Sequence, residues 1–461
     1  MACLENFPAT KKVIAADINA EYVSSLQSLL YRDPCKPNAR VFCGDFYVSD
    51  WARLVQELED PVLIIGNPPW VTNAGLSVIG GCNLPAKSNF QNHTGLDALT
   101  GRSNFDVSEW MLIRESEWLN GRQGTLAMLC KTAVGRKVLF EAWKRAMQIS
   151  LSDIFLIDAA QYFGAAVDAC LLVVNFSPSI RTTECSVYRS LQDDASSSTF
   201  GLRDGRLVSD ISAYERWEFL SGQDERKWRS GIKHDCAELM ELRSVGGGFY
   251  ANGLGQRVEL EEKYLYPMLK GSQLANRGPI LLDRWMLVPQ RSIGDDTSVI
   301  KDLAPKTWQY LQAHERRLER RASSIYKGRP KFSVFGVGEY SFAPWKVAIS
   351  AFYKKLDFKV VASVDGKPVV FDDTCYFLPC QSQEEAECLA RLLKSAPARE
   401  FYNALIFWDA KRPITNDVLR QLDLFAVARE VGLDQTLRRC GGCETGSLPL
   451  PFLSTRKQTR S

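Results

Sequence analysis

The chain has 461 residues, enough for roughly two to four domains, and its hydrophobic (45%), aromatic (11%) and charged (24%) fractions exclude a disordered or fibrous protein. A net charge of +3 neither demands nor excludes nucleic acid, so any DNA contact must come from local patches. No apolar run reaches the length of a membrane span, residues 1–6 carry no secretory pattern, and the 13 cysteines are scattered, many within apolar strands, which argues for a reducing, cytoplasmic setting.

In chain order, 12–17 reads as a strand ending in Asp17, followed by Ile18 and a helix over 20–30 with Tyr22, Val23, Leu26 and Leu30 at helical spacing. A carboxylate at such a strand end suits ribose hydroxyls, and equally suits a helix N-cap. Residues 39–46 form a second short strand closing on Gly44-Asp45-Phe46, an acceptor beside an aromatic ring, or simply a strand-to-turn junction. A helix over 48–59 precedes the apolar run 61–66, which reads as a buried parallel strand.

That run opens into Asn67-Pro68-Pro69-Trp70. Two prolines fix φ near about −65° and carry no backbone N–H, so the loop presents carbonyl acceptors stiffly and without competing donors. Asn67 adds a side-chain carbonyl and Trp70 a flat π surface. Together they suit an exocyclic amine on a planar ring, whose two N–H protons are accepted while the ring stacks on the indole. The alternative is a strand-terminating turn.

Further on, Asp106 or Ser108 would cap a helix bearing Val107, Trp110, Met111 and Trp118. Strands are predicted over 124–130 and 152–158, with a crossover helix over 137–148 between them. Gln161-Tyr162-Phe163 then precedes an apolar strand that runs to Phe176.

Acid at one strand end, Gly-Asp-Phe at the next and Asn-Pro-Pro-Trp at a third is a pattern that resembles the S-adenosylmethionine-dependent DNA methyltransferases that modify exocyclic amines. The likeness is to the adenine-N6 type with a C-terminal target recognition domain. The resemblance implies an α/β fold, with a Rossmann-like class I methyltransferase sheet followed by an α+β target recognition domain. It implies that Asn67, Pro68, Pro69 and Trp70 are catalytic and that Asp17, Ile18, Asp45 and Phe46 bind S-adenosylmethionine. Phe163, with Tyr162 as the fallback, would stack on the target base after it leaves the duplex. Double-stranded DNA is the implied substrate, a restriction endonuclease the implied companion, and no metal or membrane is involved. The polar stretches 71–74, 83–90 and 101–106 are similar to an insertion found in large members of the group. Tyr264-Leu-Tyr-Pro-Met-Leu-Lys-Gly271 is similar to the opening of their recognition domains.

Such sites need a first strand and a glycine-rich turn roughly twenty residues before the acid. Sixteen residues precede Asp17 and none is glycine, so the first βα unit is expected to be missing, as in a truncated or mis-started product. Two neighbouring strands are then expected to keep unpaired edges in mid-sheet.

The domains expected are a catalytic domain over 1–180, a connecting segment over 181–240, a recognition domain over 241–440 and a basic tail over 441–461. A charged helix is expected over 303–321. Between 329 and 354 basic residues interleave with aromatics, and Arg329, Lys331 and Lys346 are the candidate phosphate contacts. A hairpin over 360–379 turning at Asp365-Gly366 and an amphipathic helix over 384–396 follow. Cys440-Gly-Gly-Cys443 lacks a partner pair, so no zinc site is expected. Cytosine N4 as the target amine, methylation of RNA guanine or a protein glutamine, and a non-catalytic DNA-binding remnant stay open as alternatives.

Overall fold

A computed structural model describes residues 2–31, 38–71, 106–276, 278 and 282–440, which fall into two units, Met1–Ile211 and Ser212–Ser461. The expected polar insertion, apart from its ends at 71 and 106, and the expected tail, with Cys443, lie outside the described residues.

In the first unit, β1 (Lys12–Asp17) pairs in parallel with β2 (Asn38–Cys43), Asp17 standing opposite Cys43, with α1 (Ala20–Tyr31) connecting them. The predicted helix over 48–59 shortens to α2 (Trp51–Gln56), whose start is set by the Asp50 carboxylate accepting from the Arg53 N–H.

A seven-stranded sheet follows in the order β3-β4-β6-β5-β7-β8-β9. Its first members are β3 (Val62–Gly66), β4 (Gly124–Lys131), β5 (Ile149–Asp158) and β6 (Asp168–Phe176). β3 and β4 run parallel, and β6 is inserted antiparallel between β4 and β5. The helices α3 (Val107–Leu119) and α4 (Thr132–Lys144) supply much of the covering layer, burying Leu112, Leu119, Leu139 and Trp143 with Phe176 and Phe200. Trp143 and Phe200 meet at 6.0 Å between ring centroids.

Two expectations are corrected in this unit. The run 61–66, expected as a buried strand, forms β3 with only Val62 buried, while Leu63 and Ile65 are 39% and 52% exposed. Among the described residues β3 pairs only with β4 and β1 only with β2, so each has one edge without a ladder partner there. The connecting segment expected from 181 instead begins as β7 (Glu184–Tyr188), β8 (Ser198–Arg203) and β9 (Arg206–Val208), which extend the sheet. Those strands are only three to six residues long, too short for a period-two pattern to stand out from the polar sequence around them.

The second unit holds ten strands among its described residues, in two sheets. β10 (Arg229–Ser230), β16 (Trp345–Ser350), β17 (Lys359–Ala362) and β19 (Cys375–Cys380) form one, in the order β10-β19-β16-β17. β11 (Glu241–Gly246), β12 (Phe249–Asn252), β13 (Arg257–Glu259), β14 (Leu265–Leu269), β15 (Arg284–Leu287) and β18 (Val370–Phe371) form the other, in the order β13-β12-β11-β15-β14-β18.

The glycine run at 246–248 takes positive φ at all three residues and turns β11 into β12. On β11, Glu241 is 8% exposed and accepts from Lys270 Nζ at 2.7 Å and Arg284 at 3.2 Å, with His234 Nε2 at 3.4 Å. The charged helix expected over 303–321 breaks into Pro305–Ala313 and Glu315–Glu319, because Pro305 starts a new helix after Ala304 leaves helical geometry and His314 interrupts again. Asp365 and Gly366 do form a tight turn with positive φ. The strands beyond it separate, however, β17 pairing with β16 and β18 with β14.

Candidate active site

The carboxyl ends of β3, β4 and β5 lie on one edge of the larger sheet, since β3 parallels β4 and both β4 and β5 oppose β6. The start of β1 lies near the start of β3: Lys11 and Lys12 reach Glu59 (2.9 Å) and Glu57 (3.4 Å), just ahead of β3. Asn67 and Asp158 therefore follow or close strands on one edge of the larger sheet, while Asp17 and Asp45 stand at the carboxyl ends of the parallel β1 and β2, and strand carboxyl ends are where an α/β sheet places its chemistry.

Asp17 is exposed and its carboxylate accepts from the Asn19 N–H at 2.7 Å. Capping of α1 falls to Asn19, which accepts from the Glu21 N–H at 2.9 Å, so the N-cap alternative for Asp17 passes to its neighbour. Ile18 is 62% exposed. Asp45 accepts from the Tyr47 N–H at 2.8 Å. A carboxylate has about four lone-pair sites, so Asp17 and Asp45 both retain capacity for a ligand's hydroxyl or amine.

Phe46 is held in an aromatic cluster: stacked on Trp51 at 5.7 Å, 5.6 Å from Trp118 and edge-on to Trp110 at 6.0 Å. Its ring is thereby fixed at the end of β2, half-buried.

The loop itself is anchored at both ends. Before β3, Arg122 binds Asp60 (2.7 Å) and the carbonyls of Val55 (2.9 Å) and Leu58 (2.7 Å), fixing the entry to the strand. After it, Pro68 is buried while Asn67 and Pro69 are exposed. The Trp70 indole N–H donates to the Leu129 carbonyl at 3.3 Å, and the Trp70 carbonyl accepts from Lys131 Nζ at 3.1 Å. Lys131 also reaches Asp106 Oδ2 at 2.7 Å, and Asp106 caps α3 through Oδ1, accepting from the Ser108 N–H (3.1 Å) and hydroxyl (2.6 Å).

Lys131 has no counterpart in the sequence reading, although a lysine closing an otherwise apolar strand just before a helix was a visible signal. One residue earlier, Cys130 is buried 3.8 Å from Cys170, and that contact together with burial pushes its thiol well above the ordinary range. It offers no thiolate nucleophile to a substrate.

Tyr162 and Phe163 end the short helix α5 (Ala159–Phe163) at the carboxyl end of β5. Asp158 caps the helix and Gly164, at φ 62°, terminates it. The two rings are 56% and 53% exposed, so neither is a core residue.

In the second unit the expected phosphate contacts divide. Arg329 is exposed, whereas exposed Lys331 is paired with Glu315. Lys346 is a correction: it is 1% exposed on β16 and donates to the Ala343 carbonyl at 2.7 Å, so its ammonium does not reach a surface that could meet DNA, and burial lowers it to about 7. Phe332, one of the aromatics between 329 and 354, is buried edge-on against Trp308. Among the described residues no helix is long and apolar enough to cross a membrane, and no group of three or more His, Cys, Asp and Glu could hold a metal ion.

No protein-family model matches the chain. Over 428 residues it is 44% identical to the type II methyltransferase M.NspV of Nostoc sp., an alignment covering 92% of this chain and 88% of that protein. Among solved structures it resembles the type IIL restriction-modification enzyme MmeI in complex with DNA, with a TM-score of 0.50 and 12% identity over 90% of this chain. That likeness concerns the fold alone, and the chain spans 58% of MmeI. The type IIG restriction endonuclease BpuSI matches at a TM-score of 0.30 and 12% identity, over 92% of this chain and 54% of that one.

Proposed function

The chain belongs to the type II methyltransferases, and from that premise we propose that it methylates DNA at the N6 amine of an adenine flipped out of the duplex. The observation that carries the reading is the Asn67–Trp70 loop, pinned by Leu129 and Lys131 at the end of β3, together with Asp17 and Asp45 at the carboxyl ends of β1 and β2. The strand order supports a Rossmann-like class I arrangement. A restriction endonuclease reading the same sequence is the partner this function implies.

S-adenosylmethionine, when bound, supplies an electrophilic methyl group on a sulfonium sulfur. Asp17 and Asp45 fit its ribose hydroxyls and its adenine amine, beside Ile18 and Phe46. The Asn67 side-chain carbonyl and the Pro68 backbone carbonyl accept the two N–H protons of the target amine and aim its lone pair. Trp70 and Phe163, with Tyr162 beside it, hold the flipped base between rings. No covalent enzyme–base bond is needed, in keeping with the protonated, buried thiol of Cys130.

A second reading, DNA binding without transfer, is favoured by the edges of β1 and β3, which pair with no further strand among the described residues. Incubating the purified chain with duplex DNA and methyl-labelled S-adenosylmethionine, then identifying the modified nucleoside by mass spectrometry, separates the two. N6-methyladenine is expected, and Asn67→Ala should reduce its formation at least ~100-fold with donor binding retained. N4-methylcytosine would change the target. DNA binding with no label incorporated would leave the second reading.

A further inference from the structure

We propose that Lys131 and Asp106 form a clamp that holds the Asn67–Trp70 loop in register with the flipped base, Lys131 acting as a positioning residue. The inference rests on the proposed function for its kinetic consequence, but its structural content is independent of catalysis.

Three observations converge on it. Lys131 is the last residue of β4, in direct register beyond Met128, which pairs with Gly66 at the end of β3. Its ammonium therefore lies where the loop leaves the sheet, and it donates to the Trp70 carbonyl at 3.1 Å. Its charge is matched by Asp106 at 2.7 Å, a carboxylate whose other oxygen is already fixed by the first turn of α3, so the clamp joins the loop to a rigid helix. The chain direction is tied at the next residue as well, since the Val107 N–H donates to the Val71 carbonyl at 2.9 Å.

With φ fixed at Pro68 and Pro69 the loop has few torsions with which to absorb a shift, so moving the Trp70 carbonyl displaces the Asn67 and Pro68 acceptors. The pair is largely buried, with the Lys131 and Asp106 side chains 28% and 10% exposed, so water does not readily replace the contact. A displacement on the order of 1 Å at such acceptors costs up to ~100-fold in rate while leaving binding of the rest of the substrate unchanged.

The test uses the full chain with Lys131→Met, Lys131→Arg and Asp106→Asn. Lys131→Met is expected to lower kcat by ~10-fold or more with KM for DNA unchanged within ~2-fold, and Lys131→Arg, which keeps a donor and the charge, to recover most of the loss. Asp106→Asn should fall between them. An unchanged kcat in Lys131→Met overturns the proposal, as does an equal loss in Lys131→Met and Lys131→Arg.

A second readout needs no activity. In protein carrying nitrogen-15 in its indole rings, the Trp70 N–H, assigned by its loss in Trp70→Phe, should exchange with solvent ~10-fold faster in Lys131→Met. Unchanged exchange overturns the clamp. Faster exchange in a chain that transfers no methyl group supports the clamp while refuting the proposed function.

Discussion

Replacing Lys346 by Met distinguishes a buried lysine from a DNA contact. The ammonium is 1% exposed, and burial lowers it from 10.5 to about 7. Below about pH 7 the folded and unfolded chains both carry the proton, and folding bears the full cost of burying the charge. Between about 7 and 10.5 the unfolded chain holds a proton that the folded one does not, so stability rises with pH across that window. A difference of roughly 3.5 units at about 1.36 kcal/mol each sets an upper limit near 5 kcal/mol.

The bond to the Ala343 carbonyl returns part of this, and replacing buried charge by apolar side chains typically gains about 1–4 kcal/mol. Lys346→Met should therefore raise the unfolding free energy by about 1–4 kcal/mol at pH 7, measured by urea denaturation, with the gain shrinking toward pH 10.5. Affinity for duplex DNA and its salt dependence should not change. A phosphate contact would instead lower the salt slope by about 0.9 and weaken binding. A smaller slope with no gain in stability would refute the reasoning.

Two other substitutions probe different layers. Burial alone would raise the Glu241 carboxyl, but hydrogen bonds from His234 and Lys270 and the charge of Lys270 outweigh it and hold it at about 2. Its stabilising contribution, about 3 kcal/mol for roughly 2.5 units, is present above pH 4.5 and lost as pH falls through about 2. Glu241→Gln should cost about that much at pH 7 and roughly half as much at pH 3 in the same denaturant assay, and a pH-independent cost would exclude the ionised carboxylate as the cause. Phe163→Ala should change stability by less than about 0.5 kcal/mol, because the ring is 53% exposed. It should nonetheless reduce methyl transfer and the fluorescence rise of 2-aminopurine at the target position. The same losses in Tyr162→Ala but not in Phe163→Ala would reassign the stacking role.

Much of the first unit was legible because its signals are local. X-Pro-Pro ends a strand by covalent geometry, Asp106 caps a helix through its own backbone neighbours, and β1, α1 and β2 are marked by periodicity. What was not legible depends on partners distant in sequence. The alternation around Lys346 looks like a basic and aromatic surface until β19 and the Ala343 carbonyl enclose it. β7 forms against β5, and β8 and β9 are then added in turn on β7 and β8, a chain of pairings their own composition does not announce. Lys131 acquires a role only when β3 and β4 lie side by side in register.

The open edges of β1 and β3 also bear on how the first unit comes apart. Among the described residues the β1–β2 ribbon, which carries Asp17 and Asp45, shares no backbone ladder with the seven-stranded sheet that carries Asn67. A two-stranded ribbon is marginal by itself, and α1 leaves Tyr22 66% and Tyr31 92% exposed, so the ribbon leans on the contacts of Phe46 with Trp110 and Trp118 and is expected to open at a lower cost than the larger sheet. A ligand that touches both Asp17 and the loop would act as a splint across the seam, adding about 2.7 kcal/mol when present at a hundred times its dissociation constant. Donor affinity and protection of the ribbon amides from hydrogen exchange are then two measurements of one equilibrium.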